Sequence, residues 1–193
     1  MNNMQYNRRS IRLQGYDYSQ SGAYFITICT QNRECLFGKI VDGNMILNDA
    51  GEMIKNIWHK IPTYHPYSYL DAMCIMPNHF HAIIMTVGAD SISAPIDSIS
   101  ASTIGAEMDL NKRAEMDSAP TLGNIVQTFK RYTTIEYIKM VKQNKLPSFN
   151  KRIWQRNYYE HIIRNESDYT HIYDYIQNNP QQWEMDTLYP NTL

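Results

Sequence analysis

Two histidines separated by one residue are the clearest candidates for chemistry in this chain. His79 and His81 enclose Phe80 within the segment 73–85, which is otherwise mostly apolar. On a β-strand, side chains at positions i and i+2 project from the same face, so the two imidazoles would lie side by side with Phe80 turned to the core. Such a pair can supply two ligands to a divalent metal ion. Two half-buried histidines that only form hydrogen bonds would show the same pattern, so the strand alone leaves both interpretations open.

A tyrosine and an asparagine near the C-terminus could supply the groups that the histidine pair lacks. Tyr175 and Asn179 are four residues apart on a predicted helix, which places them about one turn from each other on one face. A tyrosine hydroxyl can attack a phosphodiester. An Asn carbonyl oxygen can complete a His–His–O site for a metal ion that acts as a Lewis acid. Tyr173 and Gln177 have the same spacing, so the residues alone leave both registers open.

Runs of β-branched and aromatic residues predict a mainly antiparallel sheet that carries the histidines on a middle strand. Pro77 lacks the amide hydrogen of a sheet ladder and therefore marks a break just before the two histidines. Asp42 and Gly43 predict the tight turn of a hairpin, since this dipeptide supplies positive φ. The predicted strands are 23–30, 37–41, 45–47, 70–76 and 79–87, with a further short strand within 148–163.

Three segments with apolar residues at helical spacing predict helices packed on that sheet. The first can be capped by Asn48 or Asp49 and the last by Asn165 or Ser167. Pro62 ends the first helix, and a short polar tail follows the last one. The predicted helices cover 48–61, 121 to about 144, and 165 or 167 to 179. The order of elements predicts an α+β fold, with helices on an antiparallel sheet.

The charges are unevenly distributed although the net charge is only −1. The region 121–164 contains nine Lys or Arg and two Glu, and Arg8, Arg9 and Arg12 occur without any acid among the first twelve residues. The region 88–120 contains six acids and two bases. A basic region suggests a polyanionic partner such as a nucleic acid, although a solvated protein face would show the same charges.

The length predicts a single domain, 1–193, interrupted by a low-complexity insertion at 88–120. The insertion repeats Asp-Ser-Ile-Ser and Ala-Glu-Met-Asp and has no helical or strand periodicity. The three cysteines form no CxxC motif, which fits a reducing cytoplasm. With no apolar leader and no run of 18 apolar residues, we expect a cytoplasmic protein that associates with DNA and not with a membrane.

Two blocks of the sequence carry a resemblance to a known family. Pro77-Asn78-His79-Phe80-His81, followed by an apolar strand, resembles the HUH motif of the IS200-like single-tyrosine transposases. The segments 153–166 and 174–180 resemble the C-terminal motif of the REP-associated tyrosine transposase branch, and 22–27 also fits that branch. The resemblance covers most of 20–180 except 88–120. His-x-His alone is a weak signal, but the blocks in this order and distance are specific.

The resemblance implies the ferredoxin-like palm of HUH endonucleases and a Mg²⁺ or Mn²⁺ cofactor held by His79, His81 and Asn179. Tyr175 falls on the nucleophile of the family, which cleaves single-stranded DNA near hairpins and leaves a 5′-phosphotyrosine and a free 3′-OH. This favours Tyr175 over Tyr173, although relatives in the wider family use a Tyr-x-x-x-Gln arrangement. Some relatives are homodimers that exchange the tyrosine helix, and others act as monomers.

The resemblance also implies basic and aromatic surfaces that bind single-stranded or hairpin DNA. Aromatic rings can stack on bases and cations can neutralise phosphates, although each aromatic residue could equally pack beneath the sheet. The residues predicted to bind DNA are Arg8, Arg9, Arg12, Lys130, Arg131, Lys151, Arg152, Trp154, Arg156 and Tyr158. Two other functions stay open: a domesticated relative that binds DNA hairpins without cutting them, and a metal-dependent nuclease that uses water.

Overall fold

The computed structural model describes residues 16–18, 20–87 and 121–190 of the chain. The strands are β1 (Gly22–Cys29), β2 (Gly38–Val41), β3 (Asn44–Leu47), β4 (Ser68–Ile75), β5 (His79–Thr86) and β6 (Tyr159–Ile163). The helices are α1 (Asp49–His59), α2 (Ile61–Tyr64), α3 (Leu122–Lys142) and α4 (Glu166–Asn178), with 3-10 helices at Gln31–Arg33 and Asn179–Met185. The predicted insertion at 88–120 lies outside the described residues.

Four strands form the central sheet in the order β4-β5-β1-β6, and each neighbouring pair is antiparallel. Helix α1 connects β1 to β4, and α3 lies between β5 and β6 in the chain. In the sheet, β5 lies between β1 and β4, and β1 lies between β5 and β6. This is the βαββαβ arrangement of ferredoxin-like folds. The predicted α+β class with an antiparallel sheet is therefore confirmed.

One face of the sheet packs on α1 and α3. The fully buried side chains of Ile26 and Ile28 on β1 and Phe80 on β5 belong to this core. Trp58 of α1 meets the Phe80 ring at a centroid distance of 4.9 Å and the Phe129 ring of α3 at 5.3 Å. Because strand residues alternate between faces, Phe80 lies in this core and its two histidine neighbours lie on the opposite face.

The opposite face packs on α4 through a smaller apolar cluster. Phe25 of β1 and Ile83 of β5 contact Ile172 and Ile176 of α4 in this cluster. Ala72 of β4 completes its buried residues. Helix α4 therefore covers the face of the sheet from which the histidines project.

Local sequence explains where most of these elements begin. Asn48 caps α1 by accepting a hydrogen bond from Gly51 N at 3.0 Å, and Asn165 caps α4. The alternative caps Asp49 and Ser167 were wrong, because both residues lie inside helices. Pro62 was predicted to end the first helix, but α1 already ends at His59. Pro62 lies in the first turn of α2, where a helix does not need the amide hydrogen that proline lacks.

The predicted short polar tail after α4 is partly structured and partly buried. The chain continues directly into the 3-10 helix Asn179–Met185, whose Trp183 is buried. The Trp183 ring lies 5.9 Å from the His79 ring, centroid to centroid. The C-terminal segment therefore returns to the histidine face. In the part of the chain that the structure describes, no helix is both long enough and apolar enough to cross a membrane.

Candidate metal and nucleophile site

The two histidines meet inside the protein, at the start of β5. His79 is the first residue of the strand and His81 the third, so both leave it on the same face. Their ring centroids are 4.5 Å apart, and the residues are 0% and 1% exposed. The turn at Pro77 and Asn78 starts the strand at this point, and Met76 N donates to His79 O across it.

Asn78 fixes the tautomer of His79. Its side-chain nitrogen donates to the carbonyls of Arg33 and Leu188, at 3.2 and 2.8 Å, which leaves Oδ1 as the acceptor. Oδ1 lies 2.8 Å from His79 Nδ1, so Nδ1 carries the hydrogen and Nε2 has a free lone pair. Burial lowers the pKa of His79 to about 4, with Asp186 opposing this effect. His79 is therefore a neutral imidazole at neutral pH, as a metal ligand must be.

Thr27 positions His81 from the neighbouring strand. The two residues are partners in the β1–β5 register, and Thr27 Oγ1 lies 2.8 Å from His81 Nδ1. Burial, and then the adjacent His79, hold the pKa of His81 well below its usual range. His81 Nε2 lies 3.4 Å from the hydroxyl of Tyr175.

Asp186, which follows the last 3-10 helix, joins the histidine pair. One ligand atom each from His79, His81 and Asp186 lie within 4.8 Å of one another. Asp186 Oδ1 accepts a hydrogen bond from Leu188 N at 2.7 Å, and Oδ2 lies 3.7 Å from His79 Nε2. That separation is too long for a hydrogen bond, and a neutral His79 forms no ion pair.

Three buried polar atoms at this place lack a hydrogen-bond partner among the residues that the structure describes. They are His79 Nε2, Asn179 Oδ1 and Asp186 Oδ2. Leaving a buried polar atom without a partner costs about 1–3 kcal/mol, so such atoms call for an explanation such as a bound ion. One imidazole nitrogen and two oxygens, with His81 beside them, form a donor set that fits a divalent cation.

Tyr175 lies at the edge of this group of ligand atoms. Its ring meets those of His81 and Phe25 edge-on, at centroid distances of 5.3 and 6.0 Å, and the residue is 40% exposed. Burial raises the pKa of Tyr175, the Asp186 carboxylate adds to this effect, and the Asn179 amide opposes it. The same amide also raises the pKa of His79. Asn179, which is 2% exposed, therefore lies beside both His79 and Tyr175.

The structure brings Tyr175 and Asn179 to the histidines and leaves Tyr173 and Gln177 elsewhere. The Tyr173 ring lies 6.0 Å from that of Tyr169 on the same helix, centroid to centroid. Tyr173 and Gln177 are both exposed. Of the two pairs that the spacing left open, Tyr175 and Asn179 face the histidine pair.

Helix α4 is held against the sheet by both packing and a hydrogen bond. Ile172 and Ile176 are buried against the sheet, and Tyr169 Oη donates to Asp71 Oδ2 of β4 at 2.7 Å. These contacts set the rotation of the helix about its axis. Tyr175 consequently reaches the His81 of its own chain.

The segment that carries Asp186 is tied to the rest of the site at several points. Arg33 Nη1 donates to Thr187 O at 3.0 Å, and Asp186 N donates to Trp183 O at 3.1 Å. Together with the bond from Asn78 to Leu188 O, these contacts hold the carboxylate next to His79.

The residues predicted to bind DNA divide into three groups. Arg131, Lys151, Arg152 and Arg156 are exposed, as binding to phosphates would require. Arg8, Arg9 and Arg12 lie outside the described residues. The remaining three, Lys130, Trp154 and Tyr158, are at least partly buried.

Trp154 is a core residue, so its predicted role as a stacking surface for DNA is wrong. It is 4% exposed, its Nε1 donates to Thr133 Oγ1 at 2.8 Å, and its ring lies 5.1 Å from that of Phe37, centroid to centroid. Lys130 Nζ donates to the carbonyls of Gln155 and Asn157, each at 3.0 Å, so its amine is engaged within the protein, against its predicted role in binding DNA.

Lys130 also lies 5.5 Å from the centre of the Tyr158 ring. Tyr158 is partly buried and packs against the larger core. Its ring is therefore engaged inside the protein and is not a fully open stacking surface.

Sequence reasoning missed Asp186 and the two residues that orient the histidines. Asp186 follows segments without clear periodicity, and only Trp183, a large apolar residue in an otherwise polar tail, could have indicated that the tail is buried. Thr27 and Asn78 occur in ordinary strand and turn contexts. Their roles depend on strand pairing and on contacts with residues far away in the sequence.

Known proteins similar to this chain include transposases. No protein-family model matches it. A Haemophilus influenzae protein of uncharacterised function is 41% identical over 184 residues, which are 95% of this chain and 94% of that protein. The REP-associated tyrosine transposase of Escherichia coli K12 is 24% identical over 164 residues, 84% of this chain and 68% of that protein. A solved structure of a REP-associated tyrosine transposase bound to a REP hairpin has 22% identity, covers 88% of this chain and 72% of its own, and gives a TM-score of 0.48.

The E. coli relative is a transposase, and its match extends over most of this chain. This supports a transposase function. The histidine pair of β5 and the C-terminal motif around Tyr175 are the blocks that carry the resemblance to this branch. Together these findings support placing the chain among the REP-associated tyrosine transposases, a branch of the IS200-like HUH transposases.

Proposed function

We propose that the protein is a metal-dependent endonuclease and strand transferase that cuts single-stranded DNA at hairpins, with Tyr175 as the nucleophile. One observation carries the proposal. The Tyr175 hydroxyl lies 3.4 Å from His81 Nε2, at the edge of a buried group of ligand atoms that lack hydrogen-bond partners within the described part of the chain. A nucleophile next to a cation site is an arrangement suited to metal-assisted cleavage of a phosphodiester by a tyrosine.

The residues that would hold the cation are His79, His81 and Asn179, with Asp186 as a fourth ligand. Their nitrogen and oxygen donors are compatible with Mn²⁺ or Mg²⁺. When bound, such a cation acts as a Lewis acid that polarises the scissile phosphate and orients it for in-line attack. Its positive charge would also oppose the effect of Asp186 on the pKa of Tyr175.

Tyr175 supplies the covalent step. Its oxygen forms a bond to the phosphorus while the bond from phosphorus to the 3′ oxygen breaks, and the phenolic proton is balanced by the new 3′-OH. The product is a 5′-phosphotyrosine, which keeps the energy of the broken phosphodiester bond for rejoining to another 3′-OH. Cleavage and strand transfer then use the same residue.

The neighbouring residues keep the reacting groups in place before DNA arrives. Asn78 and Thr27 orient His79 and His81, and the Tyr169–Asp71 hydrogen bond fixes the helix that carries Tyr175. Holding the reacting groups in a productive geometry removes part of the entropic cost of the reaction.

Exposed cations would bind the DNA backbone. Arg131, Lys151, Arg152 and Arg156 are accessible on α3 and on the segment that leads to β6. Cations on a protein surface bind phosphates without regard to sequence and make the affinity dependent on salt. Hairpin DNA is the substrate that membership of the family implies.

The test is to incubate the protein with Mn²⁺ and single-stranded DNA that contains a palindrome from the neighbourhood of its own gene. We expect a covalent protein–DNA adduct on a denaturing gel. Tyr175→Phe should abolish the adduct, and the matched control Tyr173→Phe should retain it. An adduct formed by Tyr175→Phe would refute the proposal.

Two other outcomes would identify the alternative functions. Cleaved DNA without attached protein would indicate a nuclease that uses water. Tight binding without any cleavage at all would indicate a domesticated protein that only binds hairpins.

A further inference from the structure

A cleft of about 460 Å³ is lined in part by Tyr175 and His81 and extends beyond them along β1 and the segment before β6. Its walls come from β1, from the segment that enters β6 and from the residues that follow Asp186. The volume lies within the range of roughly 300–1,000 Å³ that is usual for sites that bind small molecules or parts of larger ligands. The cleft therefore has room for a group attached to the phosphate at Tyr175.

Tyr159 presents an aromatic ring to this cleft. It is the first residue of β6, pairs with Thr27 of β1, and is 54% exposed. Its ring and that of Tyr175 both lie about 6 Å from Phe25, at centroid distances of 6.2 and 6.0 Å. Tyr159 and Tyr175 thus contact the same buried ring, so the two tyrosines are near neighbours on one face of the sheet.

Beyond Thr27, His81 and Tyr175, which belong to the site described above, the cleft has side-chain amides that can recognise a base. Among the described residues that line it, none is Lys, Arg, Asp or Glu. Gln155 and Asn157 instead contribute side-chain amides, which can pair with the edges of bases. A phosphate would gain little from such a lining, whereas an unpaired base could use both the ring and the amides.

The segment that carries Gln155 and Asn157 is fixed by several hydrogen bonds to the rest of the protein. Lys130 Nζ donates to the carbonyls of Gln155 and Asn157, each at 3.0 Å. Gln155 N donates to Cys29 O at 2.9 Å, and Gln155 Nε2 donates to Thr30 O at 3.1 Å. A wall fixed in this way can bind a base without first becoming ordered.

We propose that this cleft binds one unpaired nucleobase next to the scissile phosphate, with Tyr159 as its stacking surface and Gln155 and Asn157 as the groups that read its edge. The proposal rests on the proposed function, because it takes Tyr175 to mark the position of the phosphate. A base held there places the adjoining phosphate at the nucleophile. Tyr159 is thereby a positioning residue that also contributes to the choice of cleavage site.

The test uses the full chain carrying Tyr175→Phe, without divalent metal, and single strands from the palindrome region in which 2-aminopurine replaces one base at a time. Stacking on an aromatic ring quenches the fluorescence of this base. We expect quenching at one position, or at two adjacent ones. Adding Tyr159→Ala should remove the quenching and weaken binding about tenfold, within the range for one base stacked on an aromatic side chain.

Tyr159→Phe should retain the quenching, because the ring is kept. Tyr69→Ala is the matched control, since Tyr69 is 48% exposed on β4 and does not line the cleft. Thermal melting of each variant tests whether it is folded. Asn157→Ala, a change at an exposed position, should alter which base the cleft prefers.

Quenching that persists in folded Tyr159→Ala, or quenching at no position, would overturn the proposal. Because the measurement needs neither metal nor cleavage, its result is independent of whether Tyr175 is the nucleophile. A wild-type protein that never cleaves DNA but still quenches one position through Tyr159 would refute the proposed function and leave the base site intact.

Discussion

The two faces of the central sheet have different interiors, although the same strands form both. The face toward α1 and α3 is closed by large apolar side chains such as Trp58, Phe80 and Phe129. The face toward α4 has only a small apolar cluster, and beyond it lie His79 and His81, which are buried and polar. Strand β5 contributes Phe80 to one face and both histidines to the other. Because side chains alternate along a strand, the same strand supplies a core residue on one side and candidate metal ligands on the other.

The difference between the faces is also energetic. Burial of apolar side chains on the α1/α3 face supplies most of the stability of the sheet. On the α4 face, burial of polar atoms that lack partners within the described residues costs free energy, about 1–3 kcal/mol each. A cation that binds those atoms would offset this cost. The face that contains these unpartnered polar atoms is thus the one that gains most from a bound cation.

Replacing one phenylalanine on each face compares their contributions to stability. Phe80→Ala should lower the free energy of unfolding by about 3–5 kcal/mol, because it leaves a cavity in a closed core. Phe25→Ala should lower it by less than about 3 kcal/mol, because the smaller cluster borders an open cleft. Urea denaturation of both variants measures the difference. A larger loss for Phe25→Ala would contradict the comparison.

Adding Mn²⁺ should stabilise the protein through the α4 face alone. At a concentration about 100 times the dissociation constant, we expect a gain of about 2.7 kcal/mol, visible as a higher melting temperature. His81→Ala should abolish the gain. His161→Ala is the matched control: His161 is also on a strand, but its Nε2 pairs with Asp168 at 2.9 Å, and the gain should remain. Equal gains in all three proteins would place the cation elsewhere.

Removing the hydroxyl that orients His81 should weaken the binding of metal without unfolding the protein. Thr27→Val keeps the shape of the side chain and should lower the affinity for Mn²⁺ by about 10–100-fold, the usual effect of losing a partner of a metal ligand. Thr86→Val makes the same change at a buried threonine on the opposite face and should leave the affinity unchanged. Calorimetric titration measures both. An equal loss of Mn²⁺ affinity in the two variants would show that Thr27 has no specific role in orienting His81.

Helix α4 should open more readily than α3, because it packs on the smaller cluster. Backbone amides of α4 are expected to exchange their hydrogens faster than those of α3. Tyr169→Phe deletes the hydrogen bond to Asp71 and should lower the protection of α4 by about 1 kcal/mol, with little effect on α3. Hydrogen exchange followed by mass spectrometry distinguishes the two helices. Uniform protection across both would show that the faces open together.

Local rules of spacing predicted the parts of the site that lie within single elements. The strand period places His79 and His81 on one face, and helical spacing places Tyr175 and Asn179 one turn apart. The caps, the hairpin at Asp42-Gly43 and the antiparallel sheet follow from equally local signals.

Features that depend on distant contacts could not be predicted in this way. Trp154 lies in a basic and aromatic stretch, yet its partner Thr133 lies 21 residues away on α3 and draws it into the core. Lys130 is one of many cations in its region, and only the fold shows that carbonyls of the segment before β6 occupy its amine. Asp186 reaches His79 because the chain after α4 turns back, which no periodic pattern indicates.

Peptide mapping determines whether Tyr175 is the residue that forms the covalent bond to DNA. Wild-type protein is trapped with Mn²⁺ and single-stranded hairpin DNA, digested with nuclease and protease, and analysed by mass spectrometry. We expect a 5′-phosphonucleotide on Tyr175. The same modification on Tyr173, or cleaved DNA with no modified tyrosine, would contradict it.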